Sequence, residues 1–278
     1  MASRLRNNSM PKAVLMETIQ YEERGEIGIV TFARPDVLNS INVQMAEELL
    51  ELLDRLEEQV SPRIVVLTGS ERAFCAGADL KRVQQDRASG GAGRTQQTRL
   101  LERIRTLLRK FESTPKIIVA AISGVAYGGG CEIALACDMR VASQNARIAL
   151  PEVRLGVLPA AGGTQRLARI VGLGRAKQLL LGGEPVNADT ALQWGLANAV
   201  FPDEGFLDAT LEFLRPVLKG APLSQAALKM SALASTHVDL ETGLDIEGLW
   251  AAFLKTTEDS REGVAAFNEK RKPTFKGS

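Results

Sequence analysis

Two glutamates set among apolar neighbours are the residues of this chain best suited to chemistry. Glu132 stands in GGGCEIALAC (128–137), and Glu152 follows twenty residues later in ALPEV (149–153). A carboxylate in such surroundings is costly to ionise unless it is partnered or used. Each also has a structural reading. An acid in the first turn of a helix complements the helix dipole, and Glu152 reads equally as a strand-end or loop carboxylate. Spacing alone does not say whether the two meet. If they do, one site with two carboxylates can hold a water between them and divide the roles of acid and base.

Two glycine turns accompany them. Gly128-Gly129-Gly130 follows the apolar run Ile117–Ile122 and opens a helical segment, Cys131–Cys137. FCAGADL (74–80) follows the run Ile64–Thr68. Neither turn fits GxGxxG or GxxxxGK[ST], so dinucleotide and nucleoside-triphosphate binding lack their fingerprints. Strand, tight turn and helix together point bare backbone N–H groups outward, where they stabilise a phosphate or a developing oxyanion. On neighbouring strands, the N–H groups of Ala78 and Gly129 would form a two-donor hole. Close packing of helix on strand also demands glycine, and it explains the same residues as well. Gly172 and Gly174 form a third glycine pair, with no strand before it.

Composition limits the remaining chemistry. The chain has 278 residues, 34 basic and 33 acidic side chains and a single histidine. One histidine excludes metal sites that need two, and leaves a Ser-His-Asp triad only if His237 is the base. His237 lies outside every motif and reads as structural. A net charge of +1 gives no global attraction to nucleic acid or an anionic membrane. Cys75, Cys131 and Cys137 include no CxxC pair and read as packed, reduced thiols of an intracellular protein. No histidine neighbours the first two, so a thiol nucleophile is not indicated. No apolar run approaches the roughly 18–20 residues of a membrane span.

The elements that must position these residues follow from pattern. Strands are expected at Ile27–Phe32, Ile64–Thr68, Ile117–Ile122, Met139–Ala142 and Ala197–Phe201. Helical periodicity runs from Asn42 to Val60 and from Leu100 to Phe111. Alternation of this kind predicts an α/β protein with a largely parallel sheet. After about residue 204 the strand signals stop, and four helices are expected over 205–219, 223–234, 240–255 and 260–270. The division is thus a disordered leader over 1–13, a core over 14–204 and a helical region over 205–278. Ala88–Gly93 (ASGGAG) predicts a mobile loop, and the segment 82–97 is expected to move on ligand binding. Six acids in the 47–58 stretch and five bases in 99–110 read as solvated faces. Lys81, Arg82, Arg87 and Arg94 add a basic stretch suited to an anionic ligand. The first ten residues hold two arginines and no acid but lack an apolar core, so a cytoplasmic location is expected, with the mitochondrial matrix as the alternative.

Four segments, AFCAGADLK (73–81), ISGVAYGGGCEIALACD (122–138), LPEVRLGVLPAAGGTQRL (150–167) and EGVAAFNEKRKPTFKG (262–277), resemble the enoyl-CoA hydratase branch of the crotonase superfamily. The resemblance runs in order from about Val14 to Lys276. It implies a crotonase-like spiral of ββα repeats with a helical C-terminal trimerisation region, assembled as trimers or hexamers. It implies an acyl-CoA substrate, with coenzyme A as part of that substrate and no separate cofactor. On this resemblance the N–H groups of Ala78 and Gly129 form the oxyanion hole. Glu132 deprotonates the attacking water and Glu152 protonates C2. Lys81 corresponds to a position near the nucleotide end of CoA, and Phe267 and Lys270 to residues reaching a CoA held by a neighbouring subunit. Double-bond isomerisation is the relative's activity that keeps one carboxylate; both are present here. The stretch VDLETGLDIEG (238–248) and the ending KRKPTFKG also resemble methylglutaconyl-CoA hydratases that bind AU-rich RNA. The acidic first helix and Pro151 depart from that group and argue against RNA.

Overall fold

The computed structural model describes residues 13–79 and 91–278. Residues 1–12 of the expected leader, Lys81 and the 82–90 part of the expected mobile segment fall outside the described residues, and Ala13, expected to end the leader, begins the first strand.

Short β-branched runs pair into two sheets. The larger has β1 (Ala13–Leu15), β2 (Ile19–Arg24), β3 (Ile27–Phe32), β4 (Ile64–Thr68), β6 (Ile117–Ile122), β8 (Met139–Ser143) and β11 (Ala199–Phe201), side by side in that order. The first three are antiparallel, and every pairing from β3 onward is parallel. The smaller sheet runs β10 (Val186–Asn187), β9 (Arg147–Ala149), β7 (Val125–Tyr127), β5 (Ala73–Cys75). Each central strand of the large sheet therefore continues into a three-residue strand of the small one. The chain then leaves through a helix and returns one strand further on. This is the spiral of ββα units that the resemblance implied.

The helices explain how the sheet is covered. α1 (Val43–Glu57) opens where Asn42 Oδ1 accepts from the Met45 N–H at 2.8 Å. Its apolar stripe, with Leu49, Leu53 and Leu56, packs with Leu107 and Phe111 of α2 (Gly91–Ser113) over one sheet face. The other face holds Ile64, Val66, Val119 and Val141 under Phe206 and Leu214 of α7 (Phe206–Leu214). Both faces are covered, so β4 and β6 are buried at every position. Between these lie α3 (Gly129–Ala136), α4 (Gly163–Val171), α5 (Leu173–Gly182) and α6 (Ala188–Gln193). The C-terminal layer is α8 (Pro222–Ala234), α9 (Leu240–Leu254) and α10 (Glu258–Asn268). Among the described residues no helix is long and apolar enough to cross a membrane.

Several expectations are corrected. The loop expected over Ala88–Gly93 is helical from Gly91 onward, because α2 begins nine residues before its apolar periodicity does. The helix expected over 205–219 stops at Leu214 and resumes as a single 3₁₀ turn after Pro216. The last strand is Ala199–Phe201, shorter than its apolar run. The acidic and basic faces are not separately solvated. Glu47 of α1 meets Arg99 and Arg103 of α2 at 3.0 and 3.3 Å, and Asp54 and Glu57 meet Lys110 at 2.7 and 2.6 Å. The two charged runs face each other across one helix pair.

Candidate active site

The two glycine turns are neighbours in space because β5 and β7 pair in parallel. The first turn is held from outside. Ile41 donates to the Gly77 carbonyl at 2.7 Å and accepts from the Asp79 N–H at 3.1 Å. This parallel bridge uses the residues flanking Ala78, so the N–H of Ala78 points to the opposite side. Arg34 closes the turn with a 3.0 Å ion pair to Asp79. The second turn is the start of α3. Gly128 takes φ +51°, open to glycine, and places Gly129 at the first helical position, where its N–H has no intrahelical acceptor. A Cβ on Gly129 would lie 3.6 Å from the Ala78 nitrogen, so the two amides lie side by side. Among the described residues neither donates to any acceptor.

Gly130 settles the choice between packing and chemistry for the triple glycine. A Cβ there would stand 2.1 Å from the Cys75 carbonyl oxygen, so the helix can sit on β5 only with glycine. Gly129 exposes the amide, Gly130 permits the approach, and Gly128 supplies the turn. Both readings hold, one residue apart.

Glu132 is on the first turn of α3 and only 4% exposed. Its Oε1 accepts from the Ala161 and Gly163 N–H groups, each at 2.8 Å. Desolvation raises its carboxyl above the usual range. Those two amides and the charges of Arg166 and Arg105 oppose the shift. Both bonds fall on Oε1, and no described residue donates to Oε2. Glu152 lies in the 3₁₀ turn Pro151–Leu155 that follows β9. Its Oε1 lies where a Cβ on Gly128 would be 2.9 Å away, so the second carboxylate sits against the turn that begins α3. Its Oε2 is buried and has no hydrogen-bond partner. Burial pushes the Glu152 carboxyl up to about 7, with a smaller contribution from the charge of Glu132. The spiral thus brings Ala78, Gly129, Glu132 and Glu152 together. Two free amides, one held carboxylate and one carboxyl with an unpartnered oxygen can polarise a carbonyl and move protons beside it.

The remaining site candidates separate. Phe267 is 83% exposed at the end of α10, and Lys270 follows on the exposed surface at φ +55°. The structure does not join either to the glutamates within one chain. All three cysteine thiols are buried and raised above their usual range by desolvation, which disfavours the thiolate.

The sequence reading missed the loop that holds Glu132. Ala161 and Gly163 stand in the AAGGTQ stretch, whose paired glycines were the available signal: a Cβ on Gly163 would press on Glu132 Oε1 at 3.1 Å. Arg166 braces this loop, donating to the Ala161 carbonyl at 2.9 Å and forking onto Glu112 at 2.6 and 2.8 Å. The sequence reading also placed His237 away from any site. It lines a cavity of about 680 Å³ beside this loop, with Arg105, Arg109 and Arg166.

The chain is similar to known proteins along most of its length. The enoyl-CoA hydratase/isomerase family model matches residues 22–278. A short-chain-enoyl-CoA hydratase of Clostridium acetobutylicum is 35% identical over 92% of this chain and 97% of its own. A 2,3-dehydroadipyl-CoA hydratase of Escherichia coli is 37% identical over 90% of this chain and 94% of its own. The solved structure of an enoyl-CoA hydratase from Bacillus anthracis superposes with a TM-score of 0.89 at 36% identity, covering 94% of this chain and all of that one.

Proposed function

The chain belongs to the enoyl-CoA hydratase/isomerase family, and from that premise we propose that it adds water across the 2,3 double bond of a trans-2-enoyl-CoA to give a 3-hydroxyacyl-CoA. The observation that carries this reading is the pair of carboxyls, Glu132 and Glu152, flanking two adjacent unused amides. An isomerase needs one carboxylate to carry a proton between carbons. A hydratase needs one group to take a proton from water and another to deliver one to carbon.

The thioester oxygen accepts from the Ala78 and Gly129 N–H groups. This draws electron density from the double bond and leaves C3 electrophilic. The dipole of α3 adds to the hole at Gly129. A water between the carboxyls gives its proton to Glu132 as its oxygen bonds to C3. The electron pair moves through C2 onto the thioester oxygen as an enolate. The enolate collapses as C2 takes the proton of Glu152. Glu152 is suited to the donor role because burial holds it partly protonated near neutral pH. Glu132 is suited to the acceptor role because two amides support its charge. Losing one hole donor typically costs about 10²–10³ in rate. Coenzyme A enters as part of the substrate, with Lys81 near its nucleotide. Phe267 and Lys270 reach it from a neighbouring copy within a trimer or hexamer in the cytoplasm.

Glu132→Gln and Glu152→Gln test the assignment. Each is expected to lower kcat on crotonyl-CoA by about 10²–10⁴, with far-ultraviolet circular dichroism unchanged. Near-normal hydration by either folded variant would remove that carboxyl from the mechanism.

A further inference from the structure

We propose that the arginine-lined cavity beside Glu132 binds an anionic group at the far end of the acyl chain, so that the preferred substrate is a 2-enoyl-CoA whose acyl group ends in a carboxylate. The inference rests on the hydratase reading of the same site and extends it to the acyl group.

The cavity adjoins the loop that holds Glu132. Ala161, whose N–H holds Glu132, and Gly162 form part of its wall. Its volume of about 680 Å³ exceeds what a four-carbon acyl group fills, and lies within the usual range of ligand pockets. Leu135, Leu158 and Leu233 line it, a surface suited to methylenes. The charged part of the lining is mostly cationic: Arg105, Arg109, Arg166 and Arg169, with Glu112 as the one carboxylate.

Glu112 does not neutralise this set. Both its oxygens are taken by Arg166. Arg169 turns back onto Gln165 of its own helix, donating to the carbonyl at 2.8 Å. Arg105 commits only Nε, to the Ala160 carbonyl at 2.9 Å, and its other nitrogens remain available. Arg109 makes no hydrogen bond or ion pair with a described residue. Arg105 and Arg109 are four apart on α2, so they share a face about 6 Å apart along the axis. Guanidinium groups with nitrogens to spare, in a cavity that also has apolar wall, match a carboxylate, which such forks bind with two parallel hydrogen bonds. The residue nearer the chemistry, Arg105, lies close enough for its charge to favour the ionised form of Glu132, which ties the cavity to the site.

The phosphates of CoA are the other anions a bound substrate brings, and the experiment separates the two. Hydration by the full chain is measured on trans-hex-2-enoyl-CoA and on the mono-CoA thioester of trans-hex-2-enedioic acid, which differ only at the terminal group. The wild type is expected to favour the carboxylated thioester at least ten-fold in kcat/KM. Arg109→Met is expected to lower kcat/KM for the carboxylated thioester at least ten-fold more than for hexenoyl-CoA. A wild-type preference for hexenoyl-CoA overturns the proposal. So does an equal loss on both thioesters, which assigns the arginine to the phosphates. Titration calorimetry with saturated adipyl-CoA and hexanoyl-CoA covers the case in which neither thioester is hydrated. That case defeats the hydratase reading, while tighter binding of adipyl-CoA still supports the carboxylate site and equal affinity overturns it.

Discussion

At the scale of residues, the two carboxyls differ because their surroundings treat charge differently. Glu132 is more deeply buried, yet two amides support its ionised form. Glu152 has no such support at Oε2, and burial raises it from the usual 4.5 to about 7. In the proposed mechanism its proton goes to C2, so kcat/KM for hydration should fall about ten-fold per pH unit above roughly 7. The limb belongs to the coupled pair rather than to one carboxyl. A profile flat to pH 9 would take Glu152 out of the donor role. The same shift affects stability. The unfolded chain ionises this carboxyl near 4.5 and the folded chain only near 7. Its contribution is therefore fully present below pH 4.5 and lost as the pH rises through 7. The shift from 4.5 to about 7 corresponds to a ceiling of about 3.4 kcal/mol at 1.36 kcal/mol per unit, which solvent screening of this half-buried group lowers. Glu152→Gln removes the penalty. Its melting temperature should exceed that of the wild type at pH 8, with the difference gone by pH 4.5. Both glutamates were legible in the sequence because carboxylates stand out among isoleucine, leucine and alanine. Their unequal surroundings were not, since the amides that hold Glu132 come from a loop about thirty residues away.

At the scale of elements, the site depends on a helix of eight residues with little amphipathic character. α3 is buried from Gly130 to Ala136, so its last carbonyls cannot turn to water. Arg140 on β8 serves them instead. Its Nη1 donates to the Cys137 carbonyl at 2.8 Å and the Ala134 carbonyl at 3.3 Å, and its Nε donates to the Leu196 carbonyl at 2.8 Å. The side chain is buried, and desolvation lowers its basicity while nearby groups, Asp138 among them, oppose the shift. Arg140→Met is expected to destabilise the fold by about 2–4 kcal/mol, measured by urea denaturation, because three carbonyls lose their donor together. A loss under 1 kcal/mol would mean that α3 ends without it. The long parallel strands were legible because β6 is apolar throughout and β4 is apolar up to Thr68. The small sheet was not. β5, β7 and β9 have three residues each, too few for any period, and exist only because the spiral continues each long strand into a short one. That sheet aligns the two glycine turns, so the hole was legible as residues and illegible as geometry.

At the scale of the whole molecule, the C-terminal layer carries more apolar surface than a lone chain has reason to expose. Lys229 of α8 anchors it to the core, donating to Asp138 at 2.9 Å and to the carbonyls of Phe111 and Lys116 at 2.6 and 2.8 Å. Beyond that anchor, α9 buries no residue. Leu240, Leu244, Leu249 and Phe253 on α9, with Val264 and Phe267 on α10, stand exposed, Leu249 at 74%. Leu240 with Leu244 and Leu249 with Phe253 lie on nearly opposite sides of α9, and apolar surface exposed to this extent marks an interaction surface rather than a solvated one. Identical copies that pack such a face against one another in a closed ring satisfy every copy equally. Phe267 is on α10 and Lys270 just past its end, so under the proposed function closing the ring would bring those side chains to another copy's CoA. Sedimentation equilibrium is expected to give three or six times the chain mass of 30.0 kDa. Leu249→Asp with Phe253→Asp places two charges one turn apart on α9 and is expected to yield a folded monomer with a raised KM for crotonyl-CoA. A wild type that sediments at 30.0 kDa at micromolar concentration would show that the face is left bare and that one chain holds CoA alone.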